Sequence, residues 1–191
     1  MFELLLPFFL LVLFLLALSI IWRIKARKYI SSGTVASAYD ARTQDKLLER
    51  LWGEHIHLGF YPSGKKNIDF RNAKVQFVHE LVKWSGLDKL PKGSRILDVG
   101  CGIGGSSRIL AKYYGFNVTG ITISPAQVKR ARELTPIGLN CNFQVMDALN
   151  LKFEDGAFDA VWSVEAGAHM NDKRKFADEM LRTLRPGGYL A

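Results

Sequence analysis

The chain has 191 residues, 48% of them apolar and 12% aromatic, and a formal net charge of +8. That suits one globular domain with a substantial core. Its two cysteines, Cys101 and Cys141, exclude a disulfide framework or a zinc site and read as small apolar fillers, and no nucleic-acid motif gives the charge that meaning. From Leu4 to Trp22 there is no charged residue. As a helix this run would span roughly 29 Å, close to the hydrocarbon thickness of a bilayer. Arg23, Lys25, Arg27 and Lys28 follow at once, and set against Glu3 they leave +3 here and +5 in the rest of the chain. The expectation is a single-pass N-terminal anchor whose basic flank attracts anionic lipid, with the remaining chain on the cytoplasmic side. A cleaved signal peptide fits less well, because the start lacks Lys or Arg, the run is long and no A-x-A site follows.

Residues 1–30 therefore read as anchor and flank, 31–90 as a helical cap or lid, and 91–191 as a cofactor-binding domain. Val35, Ala38, Tyr39, Leu47, Leu48 and Leu51 give a loose helical period, interrupted between Asp40 and Asp45. A turn-rich stretch, Trp52 to Lys66, comes next. The spacing of Phe70, Ala73, Phe77, Leu81 and Trp84 predicts a helix from Ile68 to Trp84 with those apolar residues on one face and Gly86 as its stop. From Ser94 onward strands alternate with helices, as a parallel sheet requires. The predicted strands are Arg95–Val99, Asn117–Ile121, Asn142–Val145, Phe158–Ser163 and Gly188–Ala191. Ser124, Pro125 and Gln127 predict an N-cap, an N1 proline and a capping box for the helix after the second strand. A helix from Asp172 to Leu184 must end before Pro186-Gly187-Gly188.

The most informative run is Ile96-Leu97-Asp98-Val99-Gly100-Cys101-Gly102-Ile103-Gly104-Gly105. It reads as a buried strand ending near a carboxylate, a glycine turn, and a helix from Ser106 to Tyr114. Glycines let a ligand lie against bare main chain, and the helix start offers unpaired N–H groups. Gly100, Gly102 and Gly105 also satisfy the dinucleotide-binding G-x-G-x-x-G, so a NAD-binding domain stays open on spacing alone. Asp98, two residues before the first glycine, leans towards S-adenosylmethionine.

This run resembles motif I of the class I S-adenosylmethionine-dependent methyltransferases. The resemblance implies a Rossmann-like parallel sheet with flanking helices. That sheet has seven strands in the family, so a chain ending at its fifth is expected to be a piece of a longer protein, and a non-catalytic cofactor-binding piece stays open as well. The backbone of Gly100, Cys101, Gly102 and Gly104 would carry the cofactor. At the tip of the second strand Thr122 stands where most members carry an acid; this resembles the cyclopropane-synthase and sterol-type branch, in which Thr with a Gln five residues on takes the ribose, here Thr122 and Gln127. Asp147-Ala148 matches the adenine position, although Asp147 could equally cap a loop. Phe158 to Ser163 and Leu184 to Gly188 resemble motifs II and III.

Trp52-Gly53-Glu54-His55-Ile56-His57-Leu58-Gly59-Phe60-Tyr61, Gly102 to Arg108, and Val161 to Met170 narrow the likeness to the tocopherol methyltransferase family, over nearly all of Val35 to Ala191. Ala168 stands where the γ-tocopherol branch has Glu, which favours the benzoquinol branch. A γ-tocopherol or sterol-type substrate is the alternative. The resemblance implies ring methylation of a prenylated benzoquinol, with phytyl or solanyl tail, in tocopherol and plastoquinone synthesis, on the plasma membrane or thylakoid of an oxygenic phototroph. His169, at the carboxyl end of the fourth strand, is the expected base, and Glu165 would orient it or act itself. Tyr39-Asp40 and the segment bearing Trp52, His55, His57 and Tyr61 are expected to cover cofactor and substrate. Two alternating histidines with no third ligand in view do not imply a metal.

Overall fold

A computed structural model describes residues 12–16, 32–63 and 68–191. Among the described residues no helix is long and apolar enough to cross a membrane. The expected anchor, Leu4 to Trp22, lies outside the described residues except for the helical, exposed Val12 to Leu16. The chain divides into two compact units, Met1–Thr34 and Val35–Ala191, and the second carries the fold described below.

Helix α1 (Ser32–Gln44) ends where Lys46 turns into the left-handed region, and the short α2 (Leu47–Trp52) follows. Helix α3 spans Phe70–Ser85; the Asp69 carboxylate caps it by accepting from Asn72 N, and left-handed Gly86 stops it as expected. Its buried face differs from the apolar face read in the sequence. Ala73, Lys74, Val78 and Val82 are buried, whereas Trp84 is 83% exposed and Phe70 39% exposed. The buried row climbs by four residues per step towards buried Leu87, so a neighbouring ridge of the same helix meets the sheet.

Strands β1 (Arg95–Val99), β2 (Asn117–Thr122), β3 (Cys141–Val145), β4 (Phe158–Trp162) and β5 (Leu184–Leu190) form one sheet in the order β3-β2-β1-β4-β5. Every pairing is parallel. Helices α4 (Gly105–Tyr114), α5 (Pro125–Leu134) and α6 (Lys173–Thr183) supply crossovers. Central β1 is buried from Ile96 to Val99, as a strand covered on both faces must be. Successive side chains divide between two cores. Ile96, Val118, Ala160 and Trp162 pack with Val78, Val82 and Leu110 on one face. Leu97, Val99, Ile121 and Val161 pack with Phe176 and Met180 on the other.

β5 begins at Leu184, four residues before the expected start, and runs through Pro186. Pairing slips between Phe158 and Ala160; a proline is tolerated at such an irregular edge, where its missing N–H breaks no regular ladder. At the amino end of the sheet the Asp159 carboxylate accepts from Arg95 N at 2.8 Å and pairs with Arg185 at 2.9 Å, so the motif II and III segments hold strands together. Strand order reverses about β1, which has β2 on one side and β4 on the other. A crevice is expected outside the carboxyl ends at that switch point.

Candidate active site

The turn after β1 stands at that place. Gly100, Gly102 and Gly104 take φ of 81°, 56° and 82°, and Gly100 N and Cys101 N both donate to Ile121 O at 2.9 Å. A Cβ added at Gly102 would meet nothing within 4 Å, so bare backbone borders open space there. Asp98 lies beneath the turn rather than in the opening. It is 2% exposed, and its carboxylate accepts from Ser107 Oγ, in the first turn of α4, at 2.6 Å. Burial pushes its pKa up to about 6, against the lowering effect of the Ser107 bond. Cys101 is buried and Cys141 half-buried, both free, and they fill one small cluster with Val128, Ala131 and Phe143.

At the tip of β2, buried Thr122 Oγ1 donates to Gln127 Oε1 at 2.6 Å. Ser124 caps α5 by accepting from Gln127 N at 3.1 Å. The capping box is thus half formed: the Gln127 side chain turns to Thr122 instead of back to Ser124 N, because the β2 tip brings a hydroxyl closer. Asp40, on α1, completes the cap. Its Oδ1 accepts from Ser124 Oγ at 2.5 Å and from Ala126 N at 3.0 Å, a carboxylate placed at the positive end of a helix. Tyr39 beside it lines a recess with Arg42, Ile103 and Gln127, and burial raises its pKa. At the tip of β3, Asp147 Oδ1 accepts from Leu149 N at 2.9 Å as a loop cap, and Ala148 is 7% exposed.

The Trp52–Tyr61 segment lies on the glycine turn. A Cβ at Gly105 would come within 2.8 Å of Glu54 O and of the His55 ring, so glycine is needed for the close approach. Glu54 pairs with Arg108 of α4 at 2.5 Å. Buried Lys74 donates to Trp52 O at 2.9 Å and His55 O at 2.8 Å. Glu165, left-handed at φ 57°, accepts from Leu58 N at 3.0 Å; its carboxylate ties this segment to the end of β4. His169 closes the 3-10 turn Ala166–His169, and its side chain lies outside the described residues. Tyr61 is 55% exposed.

The histidines bond to each other. His57 Nδ1 lies 2.8 Å from Leu58 O and His57 Nε2 lies 3.1 Å from His55 Nδ1. A carbonyl only accepts, so His57 Nδ1 carries the proton, neutral His57 accepts at Nε2, and His55 donates from Nδ1. Desolvation lowers the pKa of both rings, that of His55 from 6.5 to about 3, with His57, Arg108 and Lys74 adding repulsion. Their contribution to stability is complete above pH 6.5 and is lost as the pH falls, since the unfolded chain protonates first; His79 has the same sign. Asp98, raised from 3.8 to about 6, acts oppositely between those values. Melting temperature is therefore expected to fall from pH 7 to 6, with the titration of Asp98 near 6 offsetting part of the histidine slope. His55→Gln should remove a slope on the order of 1 kcal/mol per pH unit. A slope between pH 7 and 6 that is the same in His55→Gln as in the unsubstituted protein would refute the neutral pair.

Glu54, Lys74 and Arg108 were not legible as site residues. In sequence they are ordinary charges, and nothing in their spacing reveals partners 54 and 22 positions away.

Residues 97–191 match the model of a methyltransferase domain. The chain has the Rossmann-like fold of the class I methyltransferases. It is 60% identical over 170 residues, 89% of this chain and 54% of the relative, to the 2-methyl-6-phytyl-1,4-hydroquinone methyltransferase of Synechocystis sp.. Among solved structures, the (4+2)-cyclase SpnF superposes with a TM-score of 0.76 at 30% identity, over 84% of this chain and 59% of that one. A phosphoethanolamine N-methyltransferase of Haemonchus contortus, solved with S-adenosylhomocysteine, gives 0.62 at 26% identity over 79% and 32%. The chain spans about half the length of the curated relatives it matches. In this methyltransferase fold a cyclase is among the good matches, so the reaction has to be argued from the site.

Proposed function

We propose that this chain is an S-adenosylmethionine-dependent C-methyltransferase that methylates the ring of a prenylated benzoquinol, with phytyl or solanyl tail, in tocopherol and plastoquinone synthesis. The observation that carries the reading is the 60% identity to the Synechocystis enzyme over a segment that includes the glycine turn, the covering loop and the end of β4.

The residues present fit the cofactor. Open space borders the Gly102 backbone, and Thr122 and Gln127 form a polar pair at the β2 tip. The surrounding cations are engaged, Arg108 by Glu54 and Lys74 by carbonyls, and His55 is neutral, so a sulfonium cation meets little repulsion. Bound S-adenosylmethionine supplies an electrophilic methyl group. The backbone of Gly100, Cys101, Gly102 and Gly104 would hold its amino-acid end, Thr122 with Gln127 its ribose, Asp147 and Ala148 its base, with Tyr39 alongside. A NAD-binding site would favour an acid at the β2 tip, where this chain has Thr122.

A quinol ring carbon is a weak nucleophile until the neighbouring hydroxyl loses its proton. His169, on the turn after β4, is assigned as the base. Glu165 holds the covering loop at Leu58 and so positions the site. Alignment of the two reactants can supply much of the remaining acceleration. The uncharged Leu4–Trp22 run with its basic flank would anchor the enzyme where a lipid substrate is concentrated, with the domain on the cytoplasmic or stromal side. Incubation with methyl-labelled cofactor and either 2-methyl-6-phytylbenzoquinol or a chromanol tests the substrate. Label is expected in the benzoquinol; label confined to the chromanol would overturn the assignment.

A further inference from the structure

The covering segment turns an apolar surface outward. Leu47, Leu51, Trp52, Ile56, Leu58, Phe60, Tyr61 and Phe70 are all exposed, Leu58 at 75% and Leu51 at 61%. Contacts join part of the set. The rings of Trp52 and Phe70 lie 6.2 Å apart with Lys74 Nζ over both, and Phe60 N bonds to Ala73 O beside them at 2.8 Å. Leu47 and Leu51 are four apart on α2 and share its face. Large apolar surfaces of this kind, rimmed by polar residues, mark interaction sites.

The charge at the rim indicates what the surface meets. The acids of residues 45–71 are engaged: Glu49 with Arg130 and Glu54 with Arg108, Asp45 and Asp69 as caps to Leu47 N and Asn72 N. Arg50 and Arg71 are exposed and meet each other through Arg71 Nη2 on Arg50 O. Lys46 is exposed too. Aromatic and aliphatic side chains bordered by basic ones suit the interface of an anionic bilayer.

We propose that this face docks flat on an anionic lipid surface, so that a lipid-soluble substrate passes from the bilayer beneath the covering loop into the site. The passage of substrate rests on the prenylated-quinol reading; the docking does not. Leu58 joins the two, since its backbone bonds to Glu165 at the end of β4 while its side chain is the most exposed of the set.

The test uses the full chain and neither cofactor nor substrate, so it can fail without touching the methyltransferase assignment. An environment-sensitive fluorophore is placed on Leu58→Cys, and separately on Ile137→Cys as a fully exposed reference, both in a Cys141→Ser background. Vesicles of phosphatidylcholine and phosphatidylglycerol at about 3:1 carry nitroxide-labelled lipid. The probe at 58 is expected to shift to the blue and lose more than half its emission to the nitroxide, with the probe at 137 unchanged, even if the N-terminal run inserts. Arg50→Gln with Arg71→Gln should cut the quenched fraction several-fold. A water-like probe at 58 overturns the proposal. So does a probe already apolar before vesicles are added and unreachable by the nitroxide, which would mean that protein covers the face.

Discussion

Replacing Gly102 by leucine is expected to abolish the rise in melting temperature that S-adenosylhomocysteine gives the unsubstituted protein. A ligand that binds only the folded state must raise the midpoint, so the variant's response reads out binding directly. The new side chain would project into the open space beside the turn, where nothing lies within 4 Å of a Cβ. It therefore obstructs a ligand, and its Cβ meets no protein atom. Some strain comes with it, because Gly102 has a φ of 56° and a leucine held there costs roughly 1–2 kcal/mol. For a chain of this size that lowers the unliganded midpoint by about 2–8 °C. Affinity should fall at least a hundredfold. A variant that folds and keeps the full ligand shift would show that the cofactor does not lie along this backbone.

His169→Ala is expected to lower kcat by about 10²–10⁴-fold, the usual worth of a positioned base, with KM for the quinol within about twofold. Glu165 provides the contrast. Its carboxylate accepts from Leu58 N, and an amide oxygen can do the same, so Glu165→Gln should keep kcat within about fivefold. Glu165→Ala removes the acceptor, loosens the covering loop and should raise KM for the quinol. Initial rates with saturating labelled cofactor separate these outcomes. A His169→Ala enzyme with more than a tenth of the original kcat would remove His169 from the proton step.

How much of this was readable in advance follows from the range of each interaction. β1 matches its expected bounds, Arg95–Val99, because a buried apolar run closed by a glycine turn is a local signal. The N-cap at Ser124 was equally local. The Thr122–Gln127 pair was legible only through resemblance, and the structure shows its bond at 2.6 Å. The face of α3 differs for a physical reason: Phe70 and Trp84 look like core residues by type, yet the sheet meets Val78 and Val82, and Lys74 on the same ridge meets the covering segment. Glu165 was expected to orient His169 or act itself, and the structure adds a bond from Leu58 N to its carboxylate, 107 residues away. No spacing rule encodes that. The Asp40 cap on α5 is of the same kind, with partners 84 and 86 positions apart.

Titration calorimetry of the protein with S-adenosylhomocysteine and, separately, with NAD tests the central claim most directly. Saturable one-to-one binding of S-adenosylhomocysteine, with no heat from NAD, is the expected result. Binding of NAD by a folded sample that ignores S-adenosylhomocysteine would contradict the account from the glycine turn outward.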